Sequence, residues 1–128
     1  MSETIVIPWY ATGLRADRFE VALNEIAQVA MHYGATSFQV YRSEEDRYRF
    51  QQFATFQDHL DWERYWEGPE MCAFRARHSG WYQIPVLYAA WRCTAAGSIE
   101  PGGAPHRAAA APEEENGSRL RTAQVQAV

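Results

Sequence analysis

The hydrophobic positions of this chain fall into short β-branched and aromatic runs, separated by two segments in which apolar residues return every three or four positions. The first run, TIVIPWYA over residues 4 to 11, is broken by Thr12-Gly13 and predicts a strand. From Arg15 to Tyr33 the residues Phe19, Leu23, Ile26, Ala30 and Tyr33 recur at helical spacing, with Asp17, Glu20, Asn24, Glu25 and Gln28 mostly on the other side. That segment predicts a helix, and Gly34 stands where a terminating glycine belongs. ATSFQVYR (35 to 42) predicts a strand, SEED (43 to 46) a tight connection, and RYRFQQFATF (47 to 56) the returning arm of a hairpin. Thr55 with Asp58 fits a capping box ahead of a helix, QDHLDWERYWE, that Gly68-Pro69 interrupts. Pro69 suits the first turn of a shorter helix, EMCAFRARH, ended by Ser79-Gly80. IPVLYAAWR (84 to 92) reads as the last strand, with Pro85 requiring an early or edge position.

Strand, helix, strand, strand, helix, strand is the order of a ferredoxin-like plait. This is an α+β fold with a four-stranded antiparallel sheet and both helices on one face. A chain of 128 residues has room for one ordinary core. Beyond Arg92 no aromatic residue occurs and Ala, Gly, Pro and Glu dominate, too little apolar surface to offset the entropy of ordering. The expected domain is therefore residues 1 to 94, followed by a disordered tail, 95 to 128. Within that tail Glu113, Glu114 and Glu115 read as solvated, and Arg119 to Val128 as a transient helix.

Composition narrows the partners. A net charge of -4 offers no basic face for phosphate, so nucleic acid is not an expected partner. No apolar run reaches the roughly 20 residues needed to span a bilayer, and no basic segment precedes the short apolar start. The expectation is a cytoplasmic protein without a membrane partner. Cys72 and Cys93 have no CxxC spacing and are expected as free thiols. No lysine occurs, which removes Schiff-base chemistry through a lysine amine. His32, His59 and His106 form no pair with ligand spacing, so no metal is expected, and no Ser-His-Asp grouping or phosphate loop is legible.

FQVYRSEEDRYRFQQFATF followed by ERYWEGPEMCAFRARH resembles the antibiotic biosynthesis monooxygenase superfamily. The shared layout is a strand, an acidic turn, Arg-Tyr opening the next strand, a helix ending in Gly-Pro and a short helix behind it. It covers nearly all of residues 3 to 93. The resemblance implies a homodimer whose two sheets close into an α+β barrel, with a pocket in each subunit between sheet and helices. The third strand agrees: Tyr48, Phe50, Gln52, Ala54 and Phe56 alternate with Arg49, Gln51, Phe53 and Thr55, so neither face is wholly polar. Haem-degrading relatives use an Asn on the first strand, a Trp before Gly-Pro and a His after it. Here the first strand has no Asn, Tyr65 stands at the Trp position and Phe74 at the His position. What the resemblance then implies is cofactor-independent oxygenation of a planar phenolic or quinol substrate, with no cofactor.

His78 is the candidate base, because imidazole is the side chain able to take up and release a proton under mild conditions, or else a histidine serving the C-terminal dipole of its helix. Arg75 and Arg77 lie on different faces, so at most one points into a pocket; Arg75 is the candidate to hold a phenolate oxygen, against an ordinary surface role. Trp62, Tyr65 and Trp66 form one aromatic face, which either stacks a planar ligand or packs on the sheet. Phe74 beside them, and Gln52 and Tyr88 on strands, complete the candidate substrate-binding set, although Gln52 and Tyr88, like Gln39, Gln51 and Tyr41, either meet a ligand or pair across the dimer barrel. The alternative function is a catalytically silent dimeric barrel that binds a small apolar ligand or a protein partner.

Overall fold

Along β1 (Glu3–Tyr10) the side chains of Ile5, Ile7 and Trp9 are sealed from solvent while Thr4, Val6, Pro8 and Tyr10 point the other way, the period of two that a pleated strand imposes. The same alternation in β3 (Arg49–Phe56) buries Phe50, Gln52, Ala54 and Phe56. With β2 (Ala35–Arg42) and β4 (Ala89–Trp91) these strands form one antiparallel sheet in the order β2-β3-β1-β4. Onto its buried face pack α1 (Ala16–Val29) through Phe19, Leu23 and Ile26, α2 (His59–Trp66) through Trp62 and Tyr65, and α3 (Pro69–Arg77) through Met71 and Phe74. The expected α+β, ferredoxin-like plait is the observed fold. This computed structural model describes residues 2–102 and the backbone of 105–106.

Local chemistry adjusts the expected boundaries. The helix expected through Tyr33 leaves α geometry at Val29 and tightens into a 3-10 turn, Ala30–Tyr33, before Gly34 reverses the chain at φ +105°. A Cβ on Gly34 would lie 2.5 Å from Asp61 Oδ2, so both conformation and space demand glycine there. In the hairpin turn Ser43 Oγ accepts from the backbone N–H of Glu45 and Asp46, and the Asp46 carboxylate accepts from Tyr10 Oη and Tyr48 N. The capping box expected from Thr55 does not form. Thr55 stays in β3, bonded through Oγ1 to Thr4 Oγ1, and Asp58 caps α2 by accepting from Leu60 N.

The strand expected over 84 to 92 is reduced to Ala89–Trp91, and its first half runs as an irregular strap with a cis Ile84-Pro85 bond. Pro8 supplies the reason. Gln83 N donates to Tyr10 O, so by alternation Pro8 also turns its backbone toward this edge of β1, where proline has no N–H to offer. Extending the β1–β4 register by two residues would set Leu87 opposite that missing donor. The ladder therefore stops at Val6–Ala89, and the strap is tied instead through Gln83 and an isolated bridge between Ala11 and Tyr82. Further on, β5 (Ser98–Ile99) pairs with β6 (Pro105–His106) inside the segment expected as tail. Residues 107–128, with the acidic run and the expected transient helix, lie outside the described residues. Among the described residues no helix is long and apolar enough to cross a membrane.

The other face of the sheet carries Val6, Tyr10, Tyr41, Phe53 and Trp91, and among the described residues no layer covers it. Tyr41 and Phe53 meet edge to face at 5.6 Å, and Trp91 remains 61% exposed.

Gly34→Ala forces a β-carbon into a left-handed position against Asp61. The expected result is a loss of about 1–2 kcal/mol in urea unfolding, with unchanged secondary structure by circular dichroism.

Candidate functional site

Gln52 is the buried polar side chain at the centre of the sheet, and each of its two polar atoms finds a partner from within. Its Oε1 accepts from Trp9 Nε1 at 2.9 Å, and its Nε2 donates to Tyr65 Oη at 3.0 Å. Tyr65 Oη in turn donates to the carbonyl of Ile26 at 2.7 Å. Burial pushes the Tyr65 phenol well above its ordinary range, so it stays protonated and keeps that donor. Gln52 and Tyr65, both candidates for substrate binding, thus spend their polar atoms on the protein itself.

Around this string runs a line of aromatic rings. Tyr88 in the strap leans on Trp62 at 5.0 Å and on Trp66 at 5.1 Å. Trp66 meets Trp9 at 6.2 Å, Trp9 meets Phe74 edge-on at 5.7 Å, and Phe74 meets His78 at 4.7 Å. His78 touches Trp81 at 4.7 Å, and the guanidinium of Arg18 covers Trp81 from 5.2 Å. Trp62, Phe74 and Trp9 are buried, whereas Trp66, His78 and Trp81 are half-buried and Tyr88 is exposed. The two ends of the line reach solvent and its middle is core.

Each end carries one polar group suited to chemistry. At the first, Arg75 lies over the Trp66 indole at 4.2 Å and donates from Nη1 to the Trp66 carbonyl at 3.0 Å, capping the end of α2. Its neighbour Arg77 is exposed, so of the two arginines Arg75 is the one that meets the aromatic face. At the other end His78 Nδ1 lies 2.9 Å from the Phe74 carbonyl. A carbonyl only accepts, so Nδ1 carries the proton and the neutral ring keeps its lone pair on Nε2. Nε2 is then the atom able to take a proton from a bound phenol.

The structure divides the candidate residues. Trp62, Trp66, Arg75 and Tyr88 come together at one end, Phe74 and His78 at the other, and Gln52 and Tyr65 lie beneath them in the core. Trp9 joins the groups and was not legible as a site residue. Its signal is a tryptophan on the inward alternation of β1. Trp81, which meets His78, and Arg18, which covers Trp81, had none, since they come together only when the chain after α3 folds back along α1.

No family model matches the chain, and no curated protein sequence matches it. Solved structures do. A Nitrosomonas europaea protein provisionally described as an antibiotic biosynthesis monooxygenase matches with a TM-score of 0.66 at 13% identity, over 73% of this chain and 90% of that one. SnoaB of Streptomyces nogalater, a cofactor-independent oxygenase, matches with a TM-score of 0.64 at 14% identity, over 74% and 95%. Rv0793 of Mycobacterium tuberculosis matches with a TM-score of 0.65 at 11% identity, over 75% and 98%. The chain shares its fold with these three proteins. At these identities the likeness carries the fold alone, and the function must be argued from the side chains of this chain.

Tyr65→Phe removes the hydroxyl that joins Gln52 to Ile26. Stranding a buried amide and a buried carbonyl is expected to cost about 1–3 kcal/mol in denaturant unfolding, with the shape of the core retained.

Proposed function

We propose that this protein binds a planar phenol or quinol against its line of rings and oxygenates it with dioxygen, without a cofactor, as a homodimer. The observation that carries this reading is His78. Its Nδ1 is held by the Phe74 carbonyl, its ring sits between Phe74 and Trp81, and its Nε2 is left as a base at the accessible end of an aromatic surface. SnoaB, a cofactor-independent oxygenase with the same fold, supports the reaction class.

The chemistry asks for three services. The rings orient a flat substrate by stacking, Nε2 of His78 takes the phenolic proton, and the stacked substrate itself displaces water from the end of the line. The phenolate passes one electron to dioxygen, and the resulting radical pair combines to a peroxide at a ring carbon. Loss of water from that peroxide leaves a quinone, with one oxygen atom in the product and the other in water. Arg75, over Trp66 at the far end, is suited to an acidic oxygen on an extended substrate.

The dimer reading rests on the uncovered sheet face. Val6, Tyr41, Phe53 and Trp91 lie on it, and among them the buried Gln51 Oε1 has no hydrogen-bond partner. A second copy laid sheet to sheet would cover the apolar side chains. The alternative, a binding protein without catalysis, is favoured by the internal satisfaction of Gln52 and Tyr65, which removes two polar groups from any pocket.

Oxygen consumption with a panel of naphthalenediols and anthrones tests the reaction. Uptake above the spontaneous rate, matched one to one by quinone and reduced about 100-fold or more in His78→Ala, is expected. Binding without uptake supports the alternative. For assembly, a solution mass of about twice the 14.7 kDa chain is expected, falling to the monomer in Phe53→Glu, which buries a charge in the proposed interface.

A further inference from the structure

A strap that belongs to no helix or strand, Ile84–Tyr88, lies beside the Trp62–Trp66 end of the ring line. Its described anchors are Gln83 at one end, through Tyr10 O, and the three-residue β4 at the other. Val86 tucks against the core, but Ile84 is 80% and Leu87 70% exposed, so the strap itself buries little. The one ring it contributes is Tyr88, 44% exposed, inclined at 64° to Trp62 and 56° to Trp66. Its hydroxyl makes no hydrogen bond among the described residues, so nothing directional fixes the ring where it lies.

We propose that Tyr88 is a displaceable plug: its ring occupies the place on Trp62 and Trp66 that a planar ligand takes, and the strap swings aside to admit that ligand. This rests on the reading that planar aromatic ligands stack at Trp66. The contacts that hold Tyr88 are two tilted ring contacts at a partly solvated surface, which a fused two- or three-ring ligand replaces with a larger overlap on the same indoles. Arg75 over Trp66 then favours ligands that carry an acidic oxygen near the ring, as hydroxyquinones and naphthols do. A fixed wall and a plug make opposite statements about Tyr88, because a wall adds to affinity and a plug competes with the ligand.

Titration of the full chain with alizarin, a planar hydroxyanthraquinone, followed by quenching of tryptophan fluorescence, separates them. In the plug reading Tyr88→Ala binds about ten-fold tighter than the unaltered protein, the worth of the ring contacts forfeited on opening, and Tyr88→Phe binds as the unaltered protein does. The tighter binding must vanish in Tyr88→Ala combined with Trp66→Ala. Equal or weaker binding by Tyr88→Ala, with Trp66→Ala still destroying it, overturns the plug and leaves stacking at Trp66 standing. Tighter binding that survives in the double variant places alizarin elsewhere and overturns the plug. An absence of binding in every form that circular dichroism finds folded overturns the stacking reading and the plug with it.

Discussion

A carboxamide at the centre of a sheet, cut off from water, is tolerable only if the surrounding elements bring it a donor and an acceptor of the right geometry. Gln52 imposes that condition here. Trp9 answers from β1, Tyr65 from α2, and Tyr65 donates a hydrogen bond of its own to the Ile26 carbonyl in the last turn of α1. Four elements are thereby fixed relative to one another by three hydrogen bonds that have no solvent to fall back on. Apolar packing alone tolerates sliding of a helix on a sheet, whereas this string accepts one register.

The same arrangement decides where chemistry can occur. Because Trp9 is held by Gln52, its indole stands at a set angle between Trp66 and Phe74, and the aromatic line bends around it toward solvent in two directions. Polar groups in the middle are committed to the fold. Those at the ends retain spare capacity: Nε2 of His78 at one, the remaining donors of Arg75 at the other. Uncommitted polar capacity in this domain therefore lies at the rims of a closed core.

Much of this was legible in the amino-acid order because the strongest signals are periodic. Phe19, Leu23 and Ile26 mark α1, and Phe50, Gln52, Ala54 and Phe56 mark the buried side of β3, with spacing that depends on nothing distant. The errors fall where a distant partner decides. Thr55 reads locally as a helix cap, but Thr4 across the ladder holds it in the strand. Residues 84 to 88 read as a strand until Pro8, far earlier in the chain, withdraws the donor they would need. Trp62, Tyr65 and Trp66 have the same helical spacing whether they line a pocket or fill a core. Only burial separates the sealed Trp62 and Tyr65 from the half-open Trp66.

Pro8 has a further effect, on what may approach the protein. An open sheet edge normally invites any extended chain to add itself by backbone pairing. Here the edge of β1 beside Tyr88 lacks an amide hydrogen in its middle, and the strap across from it contains Pro85, which lacks one as well. A flat aromatic molecule asks for no such hydrogens. The gap in the sheet thus offers an extended chain two fewer amide hydrogens to pair with than an ordinary strand edge would.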